Sequence, residues 1–227
     1  ETAEKVGVNG YFGSVSFGWN NLVYLDATGR FDKSSTLPPD NSLYFYPSVA
    51  VSFIFSELID ADWLQFGKLR VNYAEVGSDA PFASLYDTYA KPSPFGSTTL
   101  FSIPNTKNND LLVPERTKSI EAGVAMTFFQ NRLGFDFAYY KTNSIDQIMP
   151  VEVSKATGYS FKFVNAGEIQ NQGIEITINA APVVLKDFRW DIALNWSKNE
   201  NEVMSLFDGT DNLQLGNFQG GVSINAT

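Results

Sequence analysis

The sequence has neither cysteine nor histidine among its 227 residues. Without cysteine the chain can form no disulfide and no catalytic thiolate. Without histidine it lacks the commonest general base and a frequent metal ligand. It also shows no GxSxG, GxGxxG or P-loop spacing, which are the usual signatures of acyl-transfer, dinucleotide and phosphate sites. We therefore expect no enzymatic activity, no cofactor and no metal ion.

Long hydrophobic runs are absent as well. No stretch of about 18 apolar residues occurs, and the mean hydropathy is −0.13. Transmembrane helices are therefore excluded. A membrane β-barrel escapes this test, because half of the residues in each of its strands are polar. The net charge of −9 argues against nucleic acid as a partner, since phosphates would repel the chain.

Apolar residues alternate with polar or small residues in eight segments. In "NRLGFDFAYYKTNSID", residues 131–146, Phe135 and Phe137 share one face with Leu133 and Tyr139, whereas Asp136 lies on the other face. With 44% hydrophobic and only 18% charged residues, the chain is too apolar to be disordered. The alternation predicts eight two-faced β-strands, which span approximately residues 11–19, 23–30, 48–55, 68–73, 120–128, 133–140, 174–179 and 190–196.

The connections between these strands alternate in length. Short connections at Asn20–Asn21, "ELIDADWLQ", Gln130–Asn131 and "VVLKDF" join the strands in pairs. Between the pairs lie "DKSSTLPPDNSL", the stretch from Ser78 to Val113 and the stretch from Lys141 to Gln170. Short turns at one rim and long loops at the other are typical of an outer-membrane barrel, with the long loops outside the cell.

Hairpin register gives a second indication. A turn at Gln130–Asn131 would place Phe128 opposite Leu133 and Met126 opposite Phe135. The next hairpin would pair Ile178 with Trp190, Ile176 with Ile192 and Ile174 with Leu194. Apolar residues then face apolar residues in both hairpins, and a shift by one residue would mix the two faces. In a membrane barrel Phe135 would contact lipid, and Asp136 would lie in a watery lumen where substitution is tolerated.

Two alternatives share this strand pattern. Eight strands could close into a small, self-contained outer-membrane barrel with a structural or adhesive role. A soluble carbohydrate-binding β-sandwich would instead cover its apolar face with a second sheet.

Residues 111–203 resemble the barrel of SusC/RagA-like TonB-dependent transporters of Bacteroidota outer membranes. The most specific stretch is "VNAGEIQNQGIEITINA", and "YPSVAVSFIFSEL" followed by "WLQFGKLRVNYAEVGSD" fits the same pattern. The resemblance implies an all-β fold that is part of a large antiparallel transmembrane barrel. It also implies TonB-energised import of oligosaccharides or peptides, with a SusD-like surface lipoprotein as a lid.

The resemblance covers only part of such a transporter. Residues 1–227 correspond to about eight consecutive strands of one barrel domain, whereas the family also has a signal peptide, a segment that contacts TonB, a plug and further strands. We expect the chain to be a segment of a longer outer-membrane protein.

Aromatic residues are the candidate binding groups. Tyr86, Tyr89, Phe95 and Phe101 lie in the long loop after the fourth strand, where rings could stack on a sugar or peptide or meet the lid, or could form a small core of the loop itself. Tyr139, Tyr140 and Trp196 are expected near the upper strand ends, in an aromatic girdle at the membrane interface.

Acidic residues are weaker candidates. Glu168 with Glu175 and Asp208 with Asp211 resemble the carboxylate pairs of glycosidases, but we expect them to be solvated groups. Asp208, Asp211 and Asn212 lack the ligand spacing of an EF-hand, so we do not expect a calcium site. In the "NAG" at 165–167, asparagine and glycine are expected to set a turn.

Overall fold

The structure is a computed structural model that describes residues 4–206, 213–218 and 222–226. Regular structure in this part of the chain is almost entirely extended. Three single 3₁₀ turns occur at Pro39–Asn41, Phe55–Leu58 and Lys155–Thr157. The strands are β1 Val8–Trp19, β2 Val23–Ser34, β3 Leu43–Phe53, β4 Leu64–Ser78, β5 Thr106–Lys107, β6 Glu115–Phe128, β7 Leu133–Ile145, β8 Ile148–Glu152, β9 Phe161–Asn165, β10 Glu168–Val184, β11 Arg189–Ser205, β12 Leu213–Phe218 and β13 Val222–Ala226.

Eight long strands form one antiparallel sheet in the order β1-β2-β3-β4-β6-β7-β10-β11. Strands β5, β9 and β8 form a separate three-stranded sheet, and β12 pairs with β13. Strands β1 and β11 are the two edges of the large sheet and do not pair with each other. The described residues therefore do not form the small closed barrel. Among them, no helix is long and apolar enough to cross a membrane.

All eight predicted strands are present, and most continue beyond the predicted limits towards the long loops. Strand β10, for example, covers Glu168–Val184 rather than 174–179, and β11 covers Arg189–Ser205 rather than 190–196. The long connections also contain structure that alternation did not predict, because β8 and β9 lie between β7 and β10. The strands therefore extend above the predicted apolar segments into the loop layer.

The two predicted registers have different outcomes. The β6–β7 register is confirmed, with Phe128 paired to Leu133 and Met126 paired to Phe135. The β10–β11 register is wrong by four residues, because Ile178 pairs with Leu194 rather than with Trp190.

The error in the second register comes from residues taken to be a loop. Val183 and Val184 extend β10, with a register shift between Ala180 and Val183, and the turn closes where the Leu185 amide donates to the Phe188 carbonyl at 2.7 Å. A shift of four residues is even, so the apolar face is preserved.

One unbroken apolar row crosses the large sheet. Its members are paired consecutively and are Trp19, Val23, Phe53, Leu69, Val124, Phe137, Ile176 and Trp196. Since side chains alternate between faces, this row defines the outward face. That face remains open, and Leu69 and Val71 are 46% and 51% exposed. In the part of the chain that the structure describes, no second sheet covers it, which contradicts the β-sandwich.

The outward apolar residues form a band whose upper margin is staggered from strand to strand. Going towards the long loops, the first charged outward residue is Lys198, two residues beyond the row on β11. On β7 it is Lys141, four residues beyond the row, and on β6 it is Lys118, six residues beyond it. On β2 it is Lys33, ten residues beyond the row. The margin therefore shifts by eight residues between β11 and β2.

The lower margin shifts in the same direction. The β1–β2 turn follows immediately after the row, whereas β6 continues four residues below it to Phe128. Strand β10 continues eight residues below the row to Val184. Strands of a barrel are tilted, so a plane perpendicular to the barrel axis cuts successive strands at staggered positions. An apolar band with two parallel, staggered margins is therefore what a tilted sheet across a bilayer requires.

Most buried apolar residues lie in the loop layer, whereas on the large sheet Leu64, Ala138 and Ala181 are buried. Leu37, Ala80 and Leu112 form one buried cluster, against which Leu85 and Phe163 are packed. This cluster joins the β2–β3 loop, the long loop after β4 and strand β9. The long loops are therefore held together as a packed layer at one rim of the sheet.

Candidate functional site

The inner face of the sheet is polar and internally hydrogen-bonded. Hydroxyl groups of Ser119 and Thr142 lie 3.0 Å apart across β6 and β7, as do those of Thr117 and Ser144. On β10 and β11, Thr177 donates to Asn195 at 2.9 Å. Cross-strand pairs of this kind satisfy small polar side chains while leaving them in contact with water. The inner face is therefore suited to line an aqueous or protein-filled lumen.

Arg70 is the central charged residue of this inner wall. Its Nη1 and Nη2 atoms donate to the two carboxylate oxygens of Asp136 at 2.9 and 2.8 Å, and its Nε donates to Glu121 at 3.3 Å. Arg70 lies on β4 and Asp136 on β7, so the side chain crosses the intervening strand β6 at Gly123. A Cβ atom at Gly123 would lie 2.7 Å from the guanidinium carbon of Arg70. The missing side chain thus makes room for the bridge.

This bridge changes the role predicted for Asp136. The residue does lie on the inner face, as the alternation predicts, but it is not an independent lumen carboxylate. It accepts a bidentate, charge-assisted pair from Arg70, whose side chain is only 19% exposed. Sequence reasoning missed Arg70, because the two residues are 66 positions apart and no local pattern links them.

A cavity of about 630 Å³ opens on the inner face of β2, β3 and β4, beside the start of the long loop. The rings of Tyr44 and Tyr46 meet edge to face with centroids 4.8 Å apart, and Tyr44 donates its hydroxyl to Asp79. Two neighbouring rings with polar groups around them can contact both the apolar and the hydroxyl-bearing surfaces of a sugar or a peptide.

The charged part of the cavity is Arg30 with Asp32. Arg30 Nε donates to both carboxylate oxygens of Asp32 at 2.8 Å. Its two terminal amino groups donate to no atom of the described residues, and so they are available to a ligand. The hydroxyls of Thr28 and Ser48, 2.6 Å apart, add a further polar pair. The cavity therefore combines aromatic rings with free donors.

Asparagine side chains fasten the loop layer above the wall. Asn165 Nδ2 donates to the carbonyls of Val113 and Asp146 at 2.7 and 2.8 Å, and its Oδ1 accepts from the Val113 amide at 2.9 Å. Asn165 therefore links three chain segments rather than only setting a turn. The glycine of the same motif, Gly167, does have a turn conformation with φ of +83°.

The four predicted loop aromatics are all exposed. Phe95 is 82% exposed, and Tyr86, Tyr89 and Phe101 are also open to solvent. All four lie in or beside a small hairpin, whose two segments are joined by the Ala90–Ser102 and Phe95–Thr98 bridges. The long loop does have a core, but Leu112 and Ala80 form it, and these four rings do not. Their role as ligand contacts stays a prediction.

The three predicted girdle residues divide between the two faces. Tyr139 and Trp196 are the last outward apolar residues before Lys141 and Lys198, and so they lie at the upper margin of the band. This position supports the girdle prediction without testing it. Tyr140 points to the inner face, where a Cβ atom at Gly173 would lie 2.6 Å from its hydroxyl. Contrary to the prediction, Tyr140 does not share the membrane side of the sheet.

Aromatic residues at the opposite rim were missed. Trp19 ends β1, Trp63 lies in the β3–β4 connection and Trp190 lies at the start of β11, so each is in or next to a short connection. All three are about half exposed, and Trp63 stacks on Phe128 with ring centroids 5.9 Å apart. Their positions next to the predicted short turns are visible in the sequence, and this pattern could have indicated an aromatic margin at the lower rim. They form a second aromatic margin at the lower edge of the band.

The acidic pairs do not form a reacting centre. Glu168 accepts from Asn143 at 2.5 Å on the outward side, whereas Glu175 pairs with Ala138 on the inner face. Asp208, Asp211 and Asn212 lie outside the described residues. Within the described residues, no group of three or more acidic side chains is placed to hold a metal ion.

Sequence comparison places these features in a family. Residues 2–223 match the family described as "TonB dependent receptor-like, beta-barrel". The chain is 32% identical over 215 residues to the TonB-dependent receptor SusC of Bacteroides thetaiotaomicron, covering 88% of this chain and 21% of that protein. A TonB-dependent receptor of Formosa agariphila is 31% identical over 208 residues, with the same coverage of 88% and 21%. The chain thus spans about a fifth of the length of these relatives.

Structural comparison gives the same fold. The RagAB peptide transporter matches with a TM-score of 0.85 at 22% identity, over 93% of this chain and 24% of that chain. The siderophore receptor PirA of Acinetobacter baumannii matches with a TM-score of 0.56 at 14% identity, over 97% of this chain and 30% of that one. These relatives are named as receptors and transporters rather than enzymes, as expected. The chain therefore belongs to the TonB-dependent receptor β-barrel family of the Gram-negative outer membrane, which confirms the resemblance.

Proposed function

We propose that this chain forms about eight strands in the wall of a larger, TonB-energised importer. The complete protein would carry an oligosaccharide or a peptide across the outer membrane, with a SusD-like surface lipoprotein as its lid. Contact with the TonB complex would be made by a part of the protein outside this chain.

One observation carries the proposal: a single sheet has a tilted apolar band on its outward face and a hydrogen-bonded polar wall on its inner face. The band supports contact with lipid, and the polar wall supports a lumen through which a hydrophilic cargo passes. On β6 the band runs from Ile120 to Phe128, which gives a height of roughly 20 Å at a strand tilt of about 40°. This is comparable to the apolar band of outer-membrane barrels.

Open sheet edges support the proposal that the wall continues. Strands β1 and β11 each pair on one side only among the described residues. An exposed strand edge with unpaired backbone groups is unfavourable within a membrane, where water cannot satisfy it. Additional strands on both sides, as in a barrel of the length of the relatives, would remove both edges.

Cargo would contact two places on this chain. The loop aromatics Tyr86, Tyr89, Phe95 and Phe101 would meet cargo or the lid at the extracellular rim. The cavity around Tyr46 and Arg30 would then contact cargo inside the wall. Both places offer aromatic surface, and the cavity adds free guanidinium donors, so they can bind sugar rings or peptide groups.

Uptake by cells is the direct test of the proposed function. Cells that produce the full-length protein and its lipoprotein are given labelled neutral oligosaccharides and, separately, labelled peptides. We expect uptake of one of these classes, which is lost in cells lacking the full-length protein and in cells lacking TonB. Uptake that does not depend on TonB would contradict the proposal, as would failure to take up either class.

The cavity is tested by Tyr46→Ala, with Tyr140→Ala as a matched control. Both tyrosines lie on the inner face across a glycine of the next strand, Gly77 and Gly173 respectively, but only Tyr46 lines the cavity. Loss of the ring should lower cargo uptake roughly 2- to 13-fold for Tyr46→Ala, because aromatic contacts contribute about 0.5–1.5 kcal/mol. Uptake by the control should be unchanged. Equal losses at equal protein amounts in the membrane would argue against the cavity.

The orientation of the wall is tested with chymotrypsin on intact cells. We expect cleavage after Tyr89, Phe95 or Phe101 in the exposed hairpin, since exposed loop tips are preferred cleavage sites. Phe129 and Phe188 lie at the short turns and are also exposed, but should be cut only after the outer membrane is permeabilised. Cleavage of the short turns in intact cells would show the opposite orientation.

A further inference from the structure

The cavity of about 630 Å³ lies where β3 and β4 separate. The two strands are paired only over Ser48–Phe53 on β3 and Leu69–Ala74 on β4. The pairing ends next to Pro47, a residue that has no amide proton to donate to a neighbouring strand. Beyond this point β4 continues to Ser78, paired with β6. The cavity therefore occupies a gap in the wall, and residues of β2, β3 and β4 line it.

Two half-buried tyrosine rings line this gap. Tyr44 and Tyr46 are two residues apart on β3, so their side chains lie on the same face. The ring centroids are 4.8 Å apart and the ring planes meet at 63°. At this angle one ring directs its edge at the other, so the rings do not fully cover each other's faces. Tyr46 packs against Gly77 of β4, where an added Cβ atom would overlap its ring. Open faces of tyrosine rings attract cations.

Carboxylates outnumber cations around the rings. Among the described residues that line the cavity, Arg30 is the only cation, whereas Asp32, Glu75 and Asp79 are carboxylates. Arg30 is paired with Asp32, and Glu75 is paired with Arg116, which does not line the cavity. In the described part of the chain, Asp79 has no cation within 4.0 Å. Asp79 therefore leaves one negative charge in the cavity without a partner.

The charge of Asp79 lies directly beside the rings, because Asp79 Oδ1 accepts the hydroxyl of Tyr44. This bond leaves Oδ2 able to accept from a ligand. The guanidinium of Arg30 is directed towards β1, where an added Cβ atom at Gly10 would lie 2.7 Å from its Nη2 atom. Strands β2 and β3 separate β1 from β4. A cation at Asp79 would thus meet a carboxylate and an aromatic ring together, on the side of the cavity away from β1.

We propose that Asp79, Tyr44 and Tyr46 form a subsite for a primary ammonium group of the cargo. The proposal rests on the function proposed above, in which this cavity contacts cargo. The ammonium would donate to Asp79 and lie against a tyrosine ring, and both interactions require a positive charge on the ligand. Arg30 would offer its free donors to carbonyl or hydroxyl groups of the same cargo. Such an ammonium is found on peptides, at a lysine side chain or the N-terminus, and on amino sugars.

Acetylation of the amine tests the proposal, because it removes the charge and keeps the rest of the probe. Equilibrium binding to the purified full-length protein is measured in a mildly acidic buffer, where both kinds of amine are protonated. One pair of probes is a short alanine-rich peptide, blocked at both ends, with a central lysine or Nε-acetyl-lysine. The other pair is a glucosamine oligomer and the N-acetylglucosamine oligomer of the same length.

We expect about tenfold tighter binding of the charged probe in at least one pair, as for one cation–π contact together with one partly exposed ion pair. The pair that shows this preference identifies a peptide or an amino sugar as the source of the ammonium. A succinylated lysine, which is negatively charged, should bind no tighter than the acetylated lysine. Equal binding within both pairs, or tightest binding of the succinylated peptide, would overturn the proposal.

Asp79→Asn localises the preference. Asparagine keeps an oxygen that can accept the Tyr44 hydroxyl but removes the charge, so the charged probe should bind only as well as the acetylated one. Asp26→Asn is the matched control, because Asp26 also lies on the inner face and accepts a hydroxyl, that of Ser16 at 2.5 Å, but does not line the cavity. The control should keep the preference. If both variants keep it or both lose it, the subsite is not at Asp79.

Tyr46→Leu gives a second, independent measurement. Leucine keeps an apolar side chain at this position but has no ring face, so the preference for the charged probe should fall roughly 2- to 5-fold. An unchanged preference would show that the ring does not contact the ammonium. The binding assays contain no TonB, and the acetylated probes can also be given to cells in the uptake assay. The ammonium preference can therefore be absent while import holds, and import can fail while the preference is present.

Discussion

Phe137→Lys is expected to prevent assembly of the full-length protein in the outer membrane, whereas Thr177→Lys is expected to be tolerated. Phe137 belongs to the apolar row that crosses the sheet, four residues above the start of β7 and four below Lys141. It therefore lies near the middle of the apolar band, where lysine costs on the order of 2–4 kcal/mol. Assembly is measured as the amount of folded, heat-modifiable barrel in the outer-membrane fraction.

Thr177 is a suitable control because it lies one strand away on the opposite face. It pairs with Asp136 and donates to Asn195 at 2.9 Å, so a lysine there loses one exposed hydrogen bond and gains a nearby carboxylate. We expect a change of roughly 0–1 kcal/mol at this lumen position. Equal assembly of the two variants, or loss of both, would contradict the assignment of the two faces.

A probe experiment separates lipid contact from burial against protein. The chain has no cysteine, so single cysteines at Phe137, Ile176 or Leu194 can be labelled with a fluorophore within this segment. A quencher attached to lipid tails should quench these three sites in bilayers and should spare a label at Thr177. An unquenched outward face in a folded protein would exclude membrane contact.

The second large effect is expected for the Arg70–Asp136 bridge. In a double-mutant cycle with Arg70→Ala and Asp136→Ala, we expect a coupling of about 1–2 kcal/mol in the free energy of unfolding. The bridge makes two hydrogen bonds and Arg70 is largely buried, but Asp136 is 41% exposed, so water reduces its strength. Urea unfolding of the full-length barrel from phospholipid vesicles supplies the measurement.

Arg189 and Asp191 provide the control pair. Arg189 Nε lies 2.8 and 2.9 Å from the two Asp191 oxygens, but the two side chains are 61% and 60% exposed. For such a pair the coupling should be only about 0.2–1 kcal/mol. A coupling for Arg70–Asp136 no larger than that of the control would show that the bridge does not hold β4 and β7 together.

The β6–β7 register was predicted correctly and the β10–β11 register was not. Comparing the two hairpins shows which sequence information is sufficient to predict a register. For β6–β7, the turn at Gln130–Asn131 lies midway between the two strands, and strong alternation on both sides allows one pairing. For β10–β11, Val183 and Val184 were assigned to a loop, yet they are strong strand formers and extend β10. The register error followed from that boundary, whereas the faces were still assigned correctly because the shift is even.

Candidate site residues were harder to assign than strands. Tyr139 and Tyr140 are adjacent, so alternation alone places them on opposite faces, and their joint assignment to one girdle overlooked this. By contrast, the cavity around Tyr46 and Arg30 could not have been predicted, since it needs β2, β3 and β4 at their observed registers. Asn165 was noted as part of a motif, but its contacts to Val113 and Asp146 depend on how the loops pack.

The sequence by itself determined the eight two-faced strands, the alternation of short and long connections and the family. Each of these depends on local features, because the backbone pleat alone sends neighbouring side chains to opposite faces. Only the tertiary structure decided the stagger of the apolar band and the bridge from Arg70 to Asp136. These features depend on which residues of different strands lie near one another in the sheet, and the sheet brings Arg70 within hydrogen-bond distance of Asp136, which is 66 residues away in the sequence.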